Sequence, residues 1–291
     1  RPGRRLASRA PRMRPHAALV AVSCLWGLTY LATKVALRDL GPFELAAIRT
    51  AIAAVLFLPA LWRTRAQLRV RDGLLLGALG TTFYYAAFNV GMGSARATDA
   101  GVIQAAIPAM SALVAIPLLG ERGTLRSWLG IALSTVGVVV LVAGTSAVGE
   151  GSLTGDLWIV LTVIDWALYN AVVRRMARRA SDTAITAAAL AYGAALTIPL
   201  GLLELTQVRP ALTTDGAVAV LFLALFASAL GYWLWSYGLA RIESGRAATY
   251  LNLLPLVAVV SGALVLGERI GPVEAAGGAL IVSGVALAGR R

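Results

Sequence analysis

Two side chains of opposite charge stand where charge is costly. Asp165, in Ile164-Asp165-Trp166, is flanked on both sides by apolar sequence, and Arg49 lies just inside another apolar run that opens with Phe43-Glu44. An ionised group at a bilayer centre costs ~2.5–3.5 kcal/mol on insertion scales. Each must therefore face a helix bundle or water, find a partner or, for the acid, take up a proton. A guanidinium forks onto a carboxylate, which makes Arg49 a candidate acid-binding group. Asp165 is the matching candidate for a substrate ammonium or a proton in transit. The structural alternatives are Asp165 as partner of an arginine or of a broken backbone, and Arg49 as a helix-end residue that snorkels to the interface.

Aromatic and amide side chains recur at helical spacing around these two. Trp26, Tyr30 and Lys34 are four apart and share one helix face. Trp166, Asn170 and Arg174 repeat that spacing, with Asp165 and Tyr169 on the neighbouring stripe. Tyr85, Asn89 and Met92 form another set beside Tyr84 and Phe88, and Ser228, Tyr232, Trp235 and Ser236 a further one. Together they suit an apolar cavity with a few polar groups, as small-molecule sites usually are. The competing reading is interfacial anchoring and packing, to which Tyr84, Trp233 and Tyr237 are assigned, with Lys34 as a headgroup anchor. Pro108 and Pro255 fall inside apolar runs. A proline removes a backbone donor, which a membrane tolerates where protein or a water cavity covers the gap. Gln104 and Asn252 stand four and three residues before those prolines. They are expected to satisfy the broken backbone first and a substrate second, and both readings put these helix breaks at the cavity. Glu121 and Glu268, each followed by Arg, read as helix-end pairs.

The elements that must position these groups follow from composition. Of 291 residues, 58% are hydrophobic and 14% charged, and the mean hydropathy is +0.77; a soluble domain carries roughly 25% charge. A water-soluble or disordered chain is excluded. At ~20 residues per span plus connections, the length allows about ten spans and no large soluble domain. They are expected at 17–37, 43–62, 73–93, 98–119, 125–144, 154–173, 183–204, 215–239, 247–267 and 272–289. With the N-terminus inside, the inner segments hold 20 arginines and the outer ones five basic residues. That bias puts both termini in the cytoplasm. The net charge of +12 is thereby an orientation signal and needs no nucleic-acid partner. The basic segment 1–16 reads as cytoplasmic without a cleaved signal, and Met13 as the natural start. A lone Cys24 and a lone His16 leave no disulfide and no metal site, and no Walker loop is present.

The halves repeat. Trp26 matches Trp166, Lys34 matches Arg174, and Pro59 matches Pro199 at one spacing. Farther on, Ile107-Pro108 matches Leu254-Pro255, Leu119-Gly120-Glu121-Arg122 matches Leu266-Gly267-Glu268-Arg269, and Gly130 and Gly137 match Gly277 and Gly284. The expected fold is an all-α polytopic membrane protein: ten transmembrane helices in two five-helix repeats, 17–144 and 154–289, joined by a linker at 145–153. Five is odd, so the repeats must be inverted, an architecture of alternating-access transporters with a midplane site.

Leu25-Trp26-Gly27-Leu28-Thr29-Tyr30, the Phe43-Glu44 to Arg49 start of the second span, and the Gly-Glu pairs after the fourth and ninth spans resemble the EamA-type transporters of the drug/metabolite transporter superfamily. The resemblance implies ten helices, the inner membrane and export of small metabolites, often amino acids or their derivatives. The second half departs from the first: Ala167, not Gly, follows Trp166, and no Arg stands where Arg49 would map. The expected protein is a secondary exporter of an amino-acid-like solute, with multidrug or cation efflux and metabolite uptake as alternatives. A membrane enzyme or structural protein is the rival of another class, against which stands the lack of a catalytic cluster. Its partners are the small-molecule substrate and the bilayer, with no cofactor. Proton coupling rests on Asp165. Small-residue faces at Gly73 and Gly77, at Gly130 and Ser134, and at Ala275, Ala279 and Ser283 serve the internal bundle or a homodimer.

Overall fold

Long apolar runs in this chain become helices because only internally bonded backbone is stable in hydrocarbon. The computed structural model describes residues 14–95, 100, 103–144, 152–205, 212–257, 260 and 271–289, and every element among them is helical. Helix α1 is Pro15–Ala36, interrupted at Leu28, where the Thr29 hydroxyl donates to the Trp26 carbonyl at 2.6 Å. Helix α2 is Pro42–Gln67 and α3 is Val70–Ser94. Then come α4 (Ile107–Leu119), α5 (Leu125–Gly144), α6 (Leu153–Met176) and α7 (Asp182–Leu205). Helix α8 is Thr214–Leu239, followed by the short α9 (Ser244–Ala248) and by α10 (Pro272–Gly289). Among the described residues α1, α2, α3, α6, α7 and α8 are long and apolar enough to cross a bilayer, and α4, α5 and α10 contribute shorter apolar stretches. The spans expected at 98–119 and 247–267 fall partly outside the described residues.

Helix ends are fixed by specific donors and acceptors. Pro42 opens α2 where its missing N–H is not needed, and the Glu44 carboxylate turns back to accept from the Gly41 N–H at 2.9 Å. Glu204 at the end of α7 accepts from the Phe43 and Glu44 N–H groups, both at 2.8 Å, placing a negative charge on the positive end of α2. Ser152 caps α6 through Gly155 N–H at 3.0 Å, and Thr213 caps α8 through Gly216 N–H at 3.1 Å. Asp39, in the α1–α2 connection, accepts from the Thr213 hydroxyl at 2.6 Å and its N–H at 2.9 Å. The hydroxyl bond first and the N–H bond second hold the Asp39 carboxyl below its ordinary value. Helix α4 ends at Gly120, whose φ of +69° is left-handed and favours glycine.

The main packing pairs are α2 with α7, α5 with α10, α1 with α8, and α3 with both α6 and α7. The α5–α10 seam is reciprocal. A Cβ on Gly130 would lie 2.6 Å from the Ala288 nitrogen, and one on Gly137 2.6 Å from the Ile281 nitrogen. Conversely, Gly277 lies against the Leu141 backbone and Gly284 against that of Ser134. Gly77 touches Gly193 of α7, and Gly73 touches the Tyr192 ring. The glycine faces thus serve contacts within the chain, whereas Ala275, Ala279 and Ser283 point outward. Replacing Gly137 with valine forces a side chain into backbone that cannot yield. Overpacking typically costs 1–3 kcal/mol, and a loss near the upper end, about 3 kcal/mol, is expected as a lowered melting temperature in detergent. Gly93→Ala meets nothing within 4 Å and is expected to leave melting unchanged; equal losses at both positions would refute the assignment.

Candidate functional site

A cavity of about 50 Å³ lies at the centre of the bundle. Its wall is made by Trp26, Thr29 and Tyr30 of α1, Arg49 of α2, Tyr84, Tyr85 and Phe88 of α3, Trp166 of α6 and Tyr232 of α8. Gln104, Ala105 and Ile107 before and at the start of α4, and Leu251, Asn252, Leu254 and Pro255 after α9, complete it. One water needs roughly 10–15 Å³ on such a measure, so this cavity has room for no more than a few waters.

The aromatic wall is one continuous cluster. Trp26 and Trp166 meet edge to face with centroids 5.3 Å apart, Trp26 lies 5.5 Å from Trp235, and Tyr84 lies 4.7 Å from Trp166. Two wide π-helical turns support it, Ala78–Phe83 in α3 and Leu223–Leu230 in α8. Such turns are rare and frequent at functional sites. Here each supplies a carbonyl to the cluster: Trp26 Nε1 donates to Ala227 at 2.8 Å, and the Tyr232 hydroxyl donates to Gly80.

Arg49 is 4% exposed. Its Nε donates to Ser228 Oγ at 3.1 Å, and its Cζ lies 3.9 Å from the centroid of the Tyr85 ring. The Tyr85 hydroxyl in turn lies 3.0 Å from Ser228 Oγ. Nε is the only guanidinium nitrogen of Arg49 with a protein acceptor among the described residues, and no carboxylate there pairs with it. The ring face stabilises the cation in part, and the rest of a five-donor fork is left to the cavity. That excludes interfacial snorkelling for Arg49.

The other expected site residues divide into two sets. Tyr30, Gln104 and Asn252 line the cavity and are tied to protein: the Tyr30 hydroxyl donates to Gln104 Oε1 at 2.5 Å, and Asn252 Nδ2 donates to Ser134 Oγ at 2.8 Å. Asp165, Tyr169, Asn170, Trp235 and Asn89 are buried but do not line it. Asn170 ties three helices, donating to Ser111 Oγ and accepting from Trp235 Nε1, each at 3.0 Å. Asn89 donates to the Pro42 carbonyl at 2.8 Å. Asp165 is 4% exposed, and its Oδ2 has no hydrogen-bond partner. Trp166 lines the cavity and Asp165 does not, so the candidate acid-binding and ammonium-binding groups do not share it. Pro108 stands at the second residue of α4, with a turn at Ala105–Ala106 ahead of it. The break therefore precedes this proline, which sits where a helix start accommodates it. Pro255 follows the 3-10 turn Thr249–Asn252.

Tyr84 is a correction. Assigned to packing by its stripe, it lines the cavity, stacked on Phe88 with planes 6° apart. The cavity faces the Tyr84 and Phe88 stripe together with Tyr85, whereas Asn89 and Met92, one position round the helix, are buried outside it. Trp233 and Tyr237 do stay outside the wall; Tyr237 lies under the Arg241 guanidinium at 3.8 Å. Glu121 pairs not with its sequence neighbour Arg122 but with Arg174 of α6 at 2.7 Å, and also accepts from the Ser244 N–H at 2.9 Å. Arg174 donates further to the Leu239 and Ala240 carbonyls. One half-buried ion pair thus joins the ends of α4, α6, α8 and α9. Glu268 lies outside the described residues.

The chain matches the EamA-like transporter family twice, at residues 14–143 and 153–290. It is 30% identical over 282 residues to a probable terminal-alkyne amino-acid exporter of Streptantibioticus cattleyicolor, covering 94% of this chain and 93% of that one. It is 26% identical to a probable amino-acid metabolite efflux pump of Escherichia coli, with 91% of each chain covered. An uncharacterized transporter of Bacillus subtilis is 28% identical over 92% of this chain and 90% of its own. A crystal structure at 22% identity superposes with a TM-score of 0.77, covering 94% of this chain and 96% of that one, which establishes a shared fold.

Proposed function

Because the chain belongs to the EamA-like transporter family and is thereby a multi-pass membrane transporter, we propose that it exports an amino-acid-like carboxylate from the cytoplasm by alternating access. The observation that carries this reading is the buried guanidinium of Arg49, unmatched by any described carboxylate, in an aromatic cavity walled by α1, α2, α3, α6 and α8. A carboxylate completes the fork, and the tryptophans and tyrosines take an apolar body. A lone organic cation is disfavoured at a wall that already holds an unneutralised positive charge. The relatives named for amino-acid efflux support the substrate class.

In this reading ten helices form two inverted repeats with both termini in the cytoplasm. Its support is the exchange of partners between halves: α1 meets α8 as α3 meets α6, while α2–α7 and α5–α10 pair equivalent elements. A pseudo-two-fold axis in the membrane plane produces that pattern. Small-molecule pockets run to roughly 300–1,000 Å³, so a cavity of about 50 Å³ is a narrowed state that must widen to load. The Arg174–Glu121 ion pair closes the cytoplasmic side in this arrangement. Asp165 is the proposed proton carrier.

The test is thermal stabilisation of the purified protein by a solute panel. A ligand at 100 times its Kd adds ~2.7 kcal/mol. Large apolar amino acids are expected to raise the melting temperature, and their decarboxylated amines to leave it unchanged. Stabilisation by the amines alone would overturn the carboxylate reading.

A further inference from the structure

A second cavity, of about 240 Å³, opens between the last turns of α2 and the first half of α7. Its floor is apolar: Leu58, Leu61, Leu68, Ala184 and Ala188. At the helix-end side stand Arg65 and Arg69, both exposed, and neither has an acidic partner among the described residues. The nearby Asp72 carboxylate is already engaged by Arg179 at 2.9 Å. Trp62, 70% exposed, flanks the opening with the Arg65 guanidinium 5.2 Å from its ring. Tyr192 closes the back, its ring against Gly73.

A transmembrane helix end with an exposed tryptophan beside arginines sits at the headgroup level of a bilayer. Two guanidinium groups without counter-ions there face phosphate, which their planar forks hold bidentately. Below them the apolar floor continues into the lipid-facing side of α2, where Leu58 and Val55 are 50% and 63% exposed. A cavity with two cations at the rim, apolar walls and an open flank toward hydrocarbon matches one amphiphile, a phospholipid with net negative charge. We infer that the cleft between α2 and α7 is a binding site for one anionic phospholipid, its phosphate on Arg65 and Arg69 and one acyl chain along Leu58 and Leu61. Basic pockets between transmembrane helices hold anionic headgroups by this chemistry. The site is separate from the central cavity and does not depend on which solute crosses there.

Native mass spectrometry with defined lipid tests it. The full chain is released from detergent containing equal phosphatidylglycerol and phosphatidylcholine, and retained lipid is counted. The expected result is one retained phosphatidylglycerol, favoured about tenfold over phosphatidylcholine. Arg65→Gln with Arg69→Gln is expected to abolish the preference, and Arg63→Gln, outside the cleft, to keep it. Both arginines of the cleft are exposed, so the double variant should fold. As a second readout, brominated phosphatidylglycerol should quench the fluorescence of wild type more than that of Trp62→Phe. Equal lipid retention by the double variant, equal loss in Arg63→Gln, or displacement of the lipid by millimolar inorganic phosphate would each overturn the lipid site; the last would mark a free-anion site instead.

Discussion

Replacing Arg49 with methionine is expected to abolish transport and to leave the protein at least as stable as wild type. The two halves of this result come from one observation. Arg49 is buried, its guanidinium makes one hydrogen bond to Ser228, and among the described residues no carboxylate neutralises it. A buried charge without a partner costs folding energy, so an apolar residue of similar length relieves the fold. The same charge is what a carboxylate would bind. Hydrogen bonds to charged groups are worth ~1.5–3 kcal/mol, which converts to a 10- to 150-fold loss of affinity. Arg49→Lys keeps the charge but loses the planar fork and should recover part of the binding. The checks are substrate titration by thermal shift and flux in proteoliposomes. If Arg49→Met melted well below wild type, Arg49 would be a structural residue and the acid-binding assignment would fall.

Asp165→Asn is expected to uncouple transport from pH while sparing exchange. The carboxyl is buried beside Trp166, its Oδ2 has no partner, and the amide has nearly its shape without its proton chemistry. One proton exchanged per substrate, driven by a gradient of one pH unit, sustains up to a tenfold solute gradient, since a pH unit is worth ~1.4 kcal/mol. Wild-type proteoliposomes with such a gradient should accumulate substrate several-fold. The variant should equilibrate it without accumulation, yet still exchange labelled for unlabelled solute. Accumulation by the variant equal to that of wild type would remove Asp165 from the coupling step.

Much of the fold is legible because the bilayer makes one demand on every span. Run length places α2 and α6 within about five residues of their observed ends. Gly130, Gly137, Gly277 and Gly284, legible in the sequence as repeat matches, are the residues of the α5–α10 seam, whereas the small-residue face expected at Ala275, Ala279 and Ser283 is exposed. The site was less legible. Arg49, Trp26 and Trp166 could be picked out because charge and paired aromatics are rare signals. Tyr84 and Asp165 are harder to place because each helix carries two adjacent polar or aromatic stripes, and nothing in the sequence says which of the two meets the cavity: on α3 it is that of Tyr84 and Phe88, and on α6 Trp166 lines the wall while Asp165 does not. Glu121 was assigned to its neighbour because pairing across 53 residues leaves no trace in local sequence.

The wide turns also bear on how the cavity wall can move. A π-helical turn contains one residue more than α-helical winding uses. Rewinding it would rotate everything beyond by ~100° and displace it by ~1.5 Å along the rod, with no other part of the helix unwound. Tyr85 and Tyr232 are each the second residue after such a turn, and the carbonyls of Gly80 and Ala227 inside the turns are those that Tyr232 and Trp26 hold. Releasing one slack residue would therefore swing a tyrosine and withdraw an acceptor in a single step. Each half of the chain thus places one slack residue beside the cavity wall.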